Sequence, residues 1–104
     1  MSDPSCIRAS LLVLYTPQLE ECRDFYNTLG LHFTAEQHGQ EPREYAAVLA
    51  DGTSFELRHA HPGRETGALR IGLTITGAST TPPLTPGEHI LTDPDGRTIT
   101  IHAT

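Results

Sequence analysis

The stretch Phe25-Tyr26-Asn27-Thr28-Leu29-Gly30-Leu31 ends one element and starts the next, and most of the chain can be placed by working outward from it. Upstream, Leu19, Cys22, Tyr26 and Leu29, joined by Phe25, recur at three- and four-residue spacing and give a helix one apolar face. Gly30 closes that helix, since glycine takes at no steric cost the left-handed conformation common just past a helix end. Thr16 is placed to cap its start, with Pro17 at the first helical position and Glu20 and Glu21 near the positive end of the helix dipole. Ahead of the cap, IRASLLVLY over residues 7–15 is short and rich in apolar residues, which predicts a buried strand.

Downstream, residues 31–35 form a predicted strand and the polar HGQEPRE, residues 38–44, a loop. Residues 45–50 and 53–58 flank Asp51-Gly52, a tight hairpin signal. After a loop over 60–67, LRIGLTIT at 69–76 alternates strictly, with Leu69, Ile71, Leu73 and Ile75 on one face and Arg70, Gly72, Thr74 and Thr76 on the other. The segment 77–87 holds three prolines and cannot form a useful helix. The last hairpin joins 89–92 to 97–102 around Asp93-Pro94-Asp95-Gly96, and its final strand sets Thr98, Thr100 and His102 against Ile99 and Ile101. The expectation is an α+β domain of seven strands and one helix.

Composition narrows the function classes. A chain of 104 residues fits one domain able to build an ordinary core. Its net charge of −6, with seven dispersed arginines and no lysine, argues against nucleic acid and excludes a lysine Schiff base. No stretch approaches the roughly 18 apolar residues of a membrane span, and Met1-Ser2-Asp3-Pro4 lacks the basic start and apolar core of a signal peptide. Cys6 and Cys22 have no metal-type spacing, so free thiols in the cytoplasm are expected, with Cys22 in the core.

The order of elements, with FYNTLGL at the helix end and DPDGRTITI at residues 93–101, resembles the vicinal-oxygen-chelate superfamily, the glyoxalase and bleomycin-resistance fold. The resemblance covers nearly the whole chain and implies two βαβββ-type modules, about 7–60 and 68–103, forming a curved mixed sheet around a cavity. The second module lacks its helix and one strand, because the proline-rich loop stands in their place.

Metal-dependent relatives take His, Gln or Glu ligands from strands facing the cavity. By the resemblance those positions fall here on Leu11, Glu56, Arg70 and Thr100. Leucine has no donor atom, arginine repels a cation and threonine is a weak ligand, so neither a metal nor another cofactor is expected. A one-residue register shift restores nothing. His59 and His61 share a face of an extended chain and are expected at the surface, His102 is expected on the cavity side with Thr98 and Thr100, and His32, His38 and His89 have no partner at ligand spacing.

The expected cavity residues are Tyr15, Glu56, Arg70, Thr74, Thr98 and Thr100, with Glu56 and Arg70 either an ion pair or polar anchors for a ligand. The favoured reading is a metal-free protein that sequesters a small molecule, cationic or aromatic, with Tyr15 offering a ring face. An enzyme of the same superfamily, a lyase, isomerase or dioxygenase, is the alternative, with Glu56 as a possible general base. A protein-interaction module with a vestigial cavity is the third. A homodimer is expected too, because without the second helix the face carrying Leu69, Ile71, Leu73, Ile75, Ile99 and Ile101 has too little cover in residues 77–87.

Overall fold

In the computed structural model, which describes residues 6–37, 39–40 and 43–104, the strands divide into two mixed sheets. Met1 to Pro4 and His38 lie outside the described residues. The first module runs β1 (Leu11–Thr16), α1 (Leu19–Thr28), β2 (Thr34–Glu36), β3 (Glu44–Val48) and β4 (Ser54–His59), with sheet order β1-β4-β3-β2. The second runs β5 (Arg70–Ile75), a short 3-10 turn (Gly77–Ser79), β6 (Gly87–Thr92) and β7 (Thr98–Ala103), with order β5-β7-β6. In both, the opening strand lies parallel to the closing one, which is antiparallel to the strand before it. The second module therefore repeats three strands of the first in the same order, without a helix or an outer strand.

Local chemistry explains the element ends. The Gly30 N–H bonds the Asn27 carbonyl at 3.0 Å and the Leu31 N–H reaches the Tyr26 carbonyl at 3.4 Å, with Gly30 at φ 105°. These two bonds form a Schellman closure at the predicted glycine. The start of the helix differs from expectation. Thr16 ends β1, fully buried, and its Oγ1 accepts the Gln18 N–H at 2.9 Å while touching Cys22 Sγ at 3.4 Å. The hydroxyl thus turns the chain between strand and helix, and α1 begins at Leu19 with Gln18 as an N-cap whose side chain does not bond the helix's own N–H groups.

One cluster of buried side chains spans both modules. Leu14, Tyr45, Phe55 and Leu57 from the first sheet, Cys22, Tyr26 and Leu29 from α1, and Ile71, Ile99 and Ile101 from the second sheet all belong to it. Fully burying each large apolar side chain contributes roughly 1.5–3 kcal/mol, so this cluster is the main source of stability.

The cluster corrects one expectation, that the apolar face of the second sheet is left uncovered. Ile99 and Ile101 are 0% exposed and Ile71 is buried within the single chain, while Leu73, Ile75, Leu84 and Leu91 pack against the same core; of the six expected residues Leu69 alone is left exposed. The proline-rich segment is a strap tied at both ends. The Gly77 N–H bonds the Thr104 carbonyl, the Leu84 N–H bonds the Gly77 carbonyl, and the Thr81 N–H bonds the Thr28 carbonyl at the end of α1. Gly77 is required there because a Cβ would collide with the Leu84 carbonyl. A side chain at that position would lift the strap from β7.

Candidate functional site

Alternation along the first sheet turns Leu14, Tyr45, Phe55 and Leu57 inward and leaves a polar opposite face. On that face Tyr15 of β1 lies in register with Arg58 of β4, and Val13 with Glu56. The Arg58 guanidinium donates to Glu56 Oε1 from Nε at 3.1 Å and from Nη2 at 2.9 Å, and its Nη1 meets Glu44 Oε1 at 3.3 Å. Both carboxylates hold the guanidinium in its charged form, the hydrogen bonds to Glu56 having the larger influence.

Beyond β4 the chain carries His61, Pro62 and Arg64 across the end of the sheet and is then fastened back to β1. The Tyr15 N–H donates to Thr66 Oγ1, and the Thr66 N–H to the Tyr15 carbonyl, both at 2.9 Å. Gly63, at φ 78°, makes the turn between. An open cleft of about 990 Å³ results, with Tyr15, Glu44, Arg58 and His59 along the sheet and His61, Pro62 and Arg64 on the loop. The rings of His59 and His61 meet edge to face, 6.4 Å between centroids.

Of the six expected site residues only Tyr15 lines this cleft. Glu56 sits beside it, held by Arg58 and by the Ser54 hydroxyl at 3.4 Å. Arg70, Thr74, Thr98 and Thr100 share a face of the other sheet, where Arg70 stands opposite Thr98 and Thr100 donates to the Ile71 carbonyl. His102 is on that face as expected, paired with Glu88 at 2.7 Å, and His89 bonds the Thr85 carbonyl. The expected Glu56–Arg70 pair is not made. Residues two apart on one strand face the same way, so Arg58 reaches the carboxylate first, while Arg70 is on a different sheet.

The donor set does not fit a metal ion. Leu11, Glu56, Arg70 and Thr100 divide between two sheets, and among the described residues no group of three His, Cys, Asp or Glu is placed to hold one.

The largest feature not foreseen is a buried polar cluster behind the cleft. Arg97, 2% exposed, pairs with Asp93 Oδ2 at 2.9 Å and Asp95 Oδ2 at 3.0 Å, and its Nη2 also donates to the carbonyls of Tyr15 and Thr66. The Tyr26 hydroxyl donates to Asp93 at 2.7 Å, and the Gln18 amide to Asp95 at 2.9 Å. Burial would raise the Asp93 carboxyl, but the hydrogen bonds from Tyr26 and Arg97 outweigh it and hold the group below the usual carboxylate range. Burial pushes the Cys22 thiol up to about 11, against the hydrogen bond from Thr16, so Cys22 is an inert core group. Arg97 thereby ties the last hairpin of the second module to β1 at Tyr15 and to the loop after β4 at Thr66.

No protein-family model matches the chain, and no curated protein sequence matches it. Solved structures do resemble it. TnmS3, an antibiotic binding protein from Streptomyces sp. CB03234, is 23% identical with a TM-score of 0.64, over 97% of this chain and 98% of that one. The oxidase ChaP-H2 is 11% identical with a TM-score of 0.62, over 96% and 95%. The solution structure of protein ATC0852 from Agrobacterium tumefaciens is 15% identical with a TM-score of 0.50, over 99% and 98%. At such identities the likeness is one of fold, and it agrees at a coarse level with the vicinal-oxygen-chelate-like arrangement implied by the sequence.

Proposed function

We propose that the chain is a metal-free member of the glyoxalase and bleomycin-resistance superfamily that binds a small aromatic molecule in the Tyr15 cleft and releases it unchanged. The observation that carries this reading is the cleft itself: an aromatic ring, two histidines and a salt-bridged arginine around about 990 Å³, with no metal donor set among the described residues. The whole-length fold likeness to an antibiotic binding protein supports the class. Both cysteines are free, which suits a reducing cytoplasm. A thermal-stabilisation screen tests the reading, since a ligand at a hundred times its Kd stabilises by about 2.7 kcal/mol. Recovery of the stabilising compound in altered form would instead favour an enzyme.

The enzymatic alternative is weaker at this site. Glu56, the candidate general base, is held by Arg58 beside the cleft and is not among the residues that line it, so its carboxylate is not placed against a guest there.

The homodimer is retained as part of the proposal for a different reason. The faces opposite the core leave apolar residues wet, Leu11 and Val48 on the first sheet and Ile90 on the second, with Val48 76% and Ile90 69% exposed. A second copy packed on these faces would cover them and bring Arg70, Thr74, Thr98 and Thr100 toward a Tyr15 cleft.

A further inference from the structure

We propose that the guest of the Tyr15 cleft is an anionic aromatic molecule, a planar ring carrying a carboxylate or sulfonate, with Arg64 meeting the anion and Tyr15 the ring. The inference rests on the ligand-binding reading and names the chemical class it takes. Two arginines line the cleft, and they differ in what they have left to give. Arg58 is neutralised by Glu44 and Glu56, at 3.3 and 2.9 Å. Arg64 has no ion pair and no side-chain hydrogen bond among the described residues. It stands two residues before Thr66, whose hydroxyl and N–H are both bonded to Tyr15, so the loop keeps this arginine on the same cleft as the ring.

The net charge of −6 points the other way, toward a cationic guest, but it is the charge of the whole surface. Exposed charges more than about 8 Å apart are largely screened at physiological ionic strength, so the groups lining the cleft decide which ion it accepts. A cation there would have to draw Glu44 or Glu56 from Arg58 and would meet Arg64 unneutralised. An anion breaks no pair, and the imidazole rings at positions 59 and 61 each have a ring N–H that can be donated to it. Tyr15, half exposed, and Pro62 supply the apolar contact that a planar ring needs.

The test uses two dyes with the same ring skeleton, 8-anilinonaphthalene-1-sulfonate and the neutral N-phenyl-1-naphthylamine, with thioflavin T as a cationic probe. Each is titrated by fluorescence into the full chain. The sulfonate should bind about tenfold more tightly than the neutral amine, the gain expected of one charge-assisted hydrogen bond. Arg64→Gln should abolish that difference and leave the neutral amine unchanged, while Tyr15→Ala should weaken both. Arg64 is exposed, so its variant should melt with the natural chain, and the melting curve checks this. Equal binding of the two naphthalenes, a sulfonate preference that survives Arg64→Gln, or a preference for thioflavin T would each overturn the anionic class. If the neutral amine still binds through Tyr15 in those cases, the ligand-binding reading stands without it. Binding of none of the three dyes overturns the class and leaves the broader reading to the stabilisation screen.

Discussion

The two modules build the same parallel and antiparallel pairings from unequal amounts of chain, and they solve the problem of cover differently. The first supplies its own helix, which lays Cys22, Tyr26 and Leu29 into the core. The second has no helix and is closed by a strap of prolines, by the core it shares with α1, and by a charged cluster in which Tyr26 of the first module donates to Asp93 of the second. A sheet can thus lose its own helix when a neighbouring module's core extends across it. The cost is dependence, because the second module has no separate core.

If that dependence holds, the largest effect should come from Arg97→Met. It leaves Asp93 buried without its cation, which typically costs about 3–5 kcal/mol, read as a lower urea midpoint. The double variant Arg97→Met, Asp93→Asn should lose less than the two single losses added together. Additive losses would mean that the pair is not a unit.

Next in size, Ile101→Ala should destabilise by about 2–5 kcal/mol, while Ile90→Ala, on the opposite face, should stay within about 0.5 kcal/mol in the same urea titration. Similar losses at both positions would reverse the face assignment and restore the uncovered apolar face.

The pH dependence sharpens the same comparison. Asp93 titrates below its unfolded value, so its contribution to stability is present above about pH 4 and lost as the pH falls through the folded value. Cys22 is raised from 9.0 to about 11, so its contribution is complete below pH 9 and lost as the pH rises toward 11. Thermal melts from pH 2 to 7 should show an acid loss that Asp93→Asn flattens. An unchanged acid limb in that variant would assign the loss to other carboxylates.

The smallest effect is expected at the exposed pair. Glu56→Gln should alter stability by under about 1 kcal/mol, because Arg58 keeps Glu44 and both side chains are partly solvated. A larger loss would show that the polar face of the first sheet is structural. For assembly, Val48→Asp and Ile90→Asp should turn a dimer to monomer by light scattering without unfolding it. A monomeric natural chain would remove the dimer from the proposal.

What the sequence could tell was local. The helix, its glycine end, the Asp-Gly hairpin and the alternating faces of β5 and β7 all follow from spacing and appear where expected, except that the helix starts at Leu19 and not at Pro17. The misses are relations over long separations. Nothing near Ile99 or Ile101 announces that α1 shares their core, and arginines are rarely buried, so the Arg97 cluster had no visible signal. Arg58 is different, since its i+2 spacing from Glu56 on one strand is in plain view, whereas the ligand positions implied by the resemblance point to Arg70. The surface position expected of His59 and His61 agrees with their exposure, but the cleft they flank is not legible from their spacing.

The central claim is that a small molecule binds in the Tyr15 cleft without metal and without reaction. The direct measurement is calorimetric titration of a compound found by the stabilisation screen into the natural chain and Tyr15→Ala, with and without EDTA, followed by mass spectrometry of the recovered compound. We expect the same Kd with and without chelator, a loss of about tenfold or more in Tyr15→Ala, consistent with about 1.4 kcal/mol, and an unaltered compound. Binding abolished by EDTA, an affinity indifferent to Tyr15, or a chemically changed compound would contradict it.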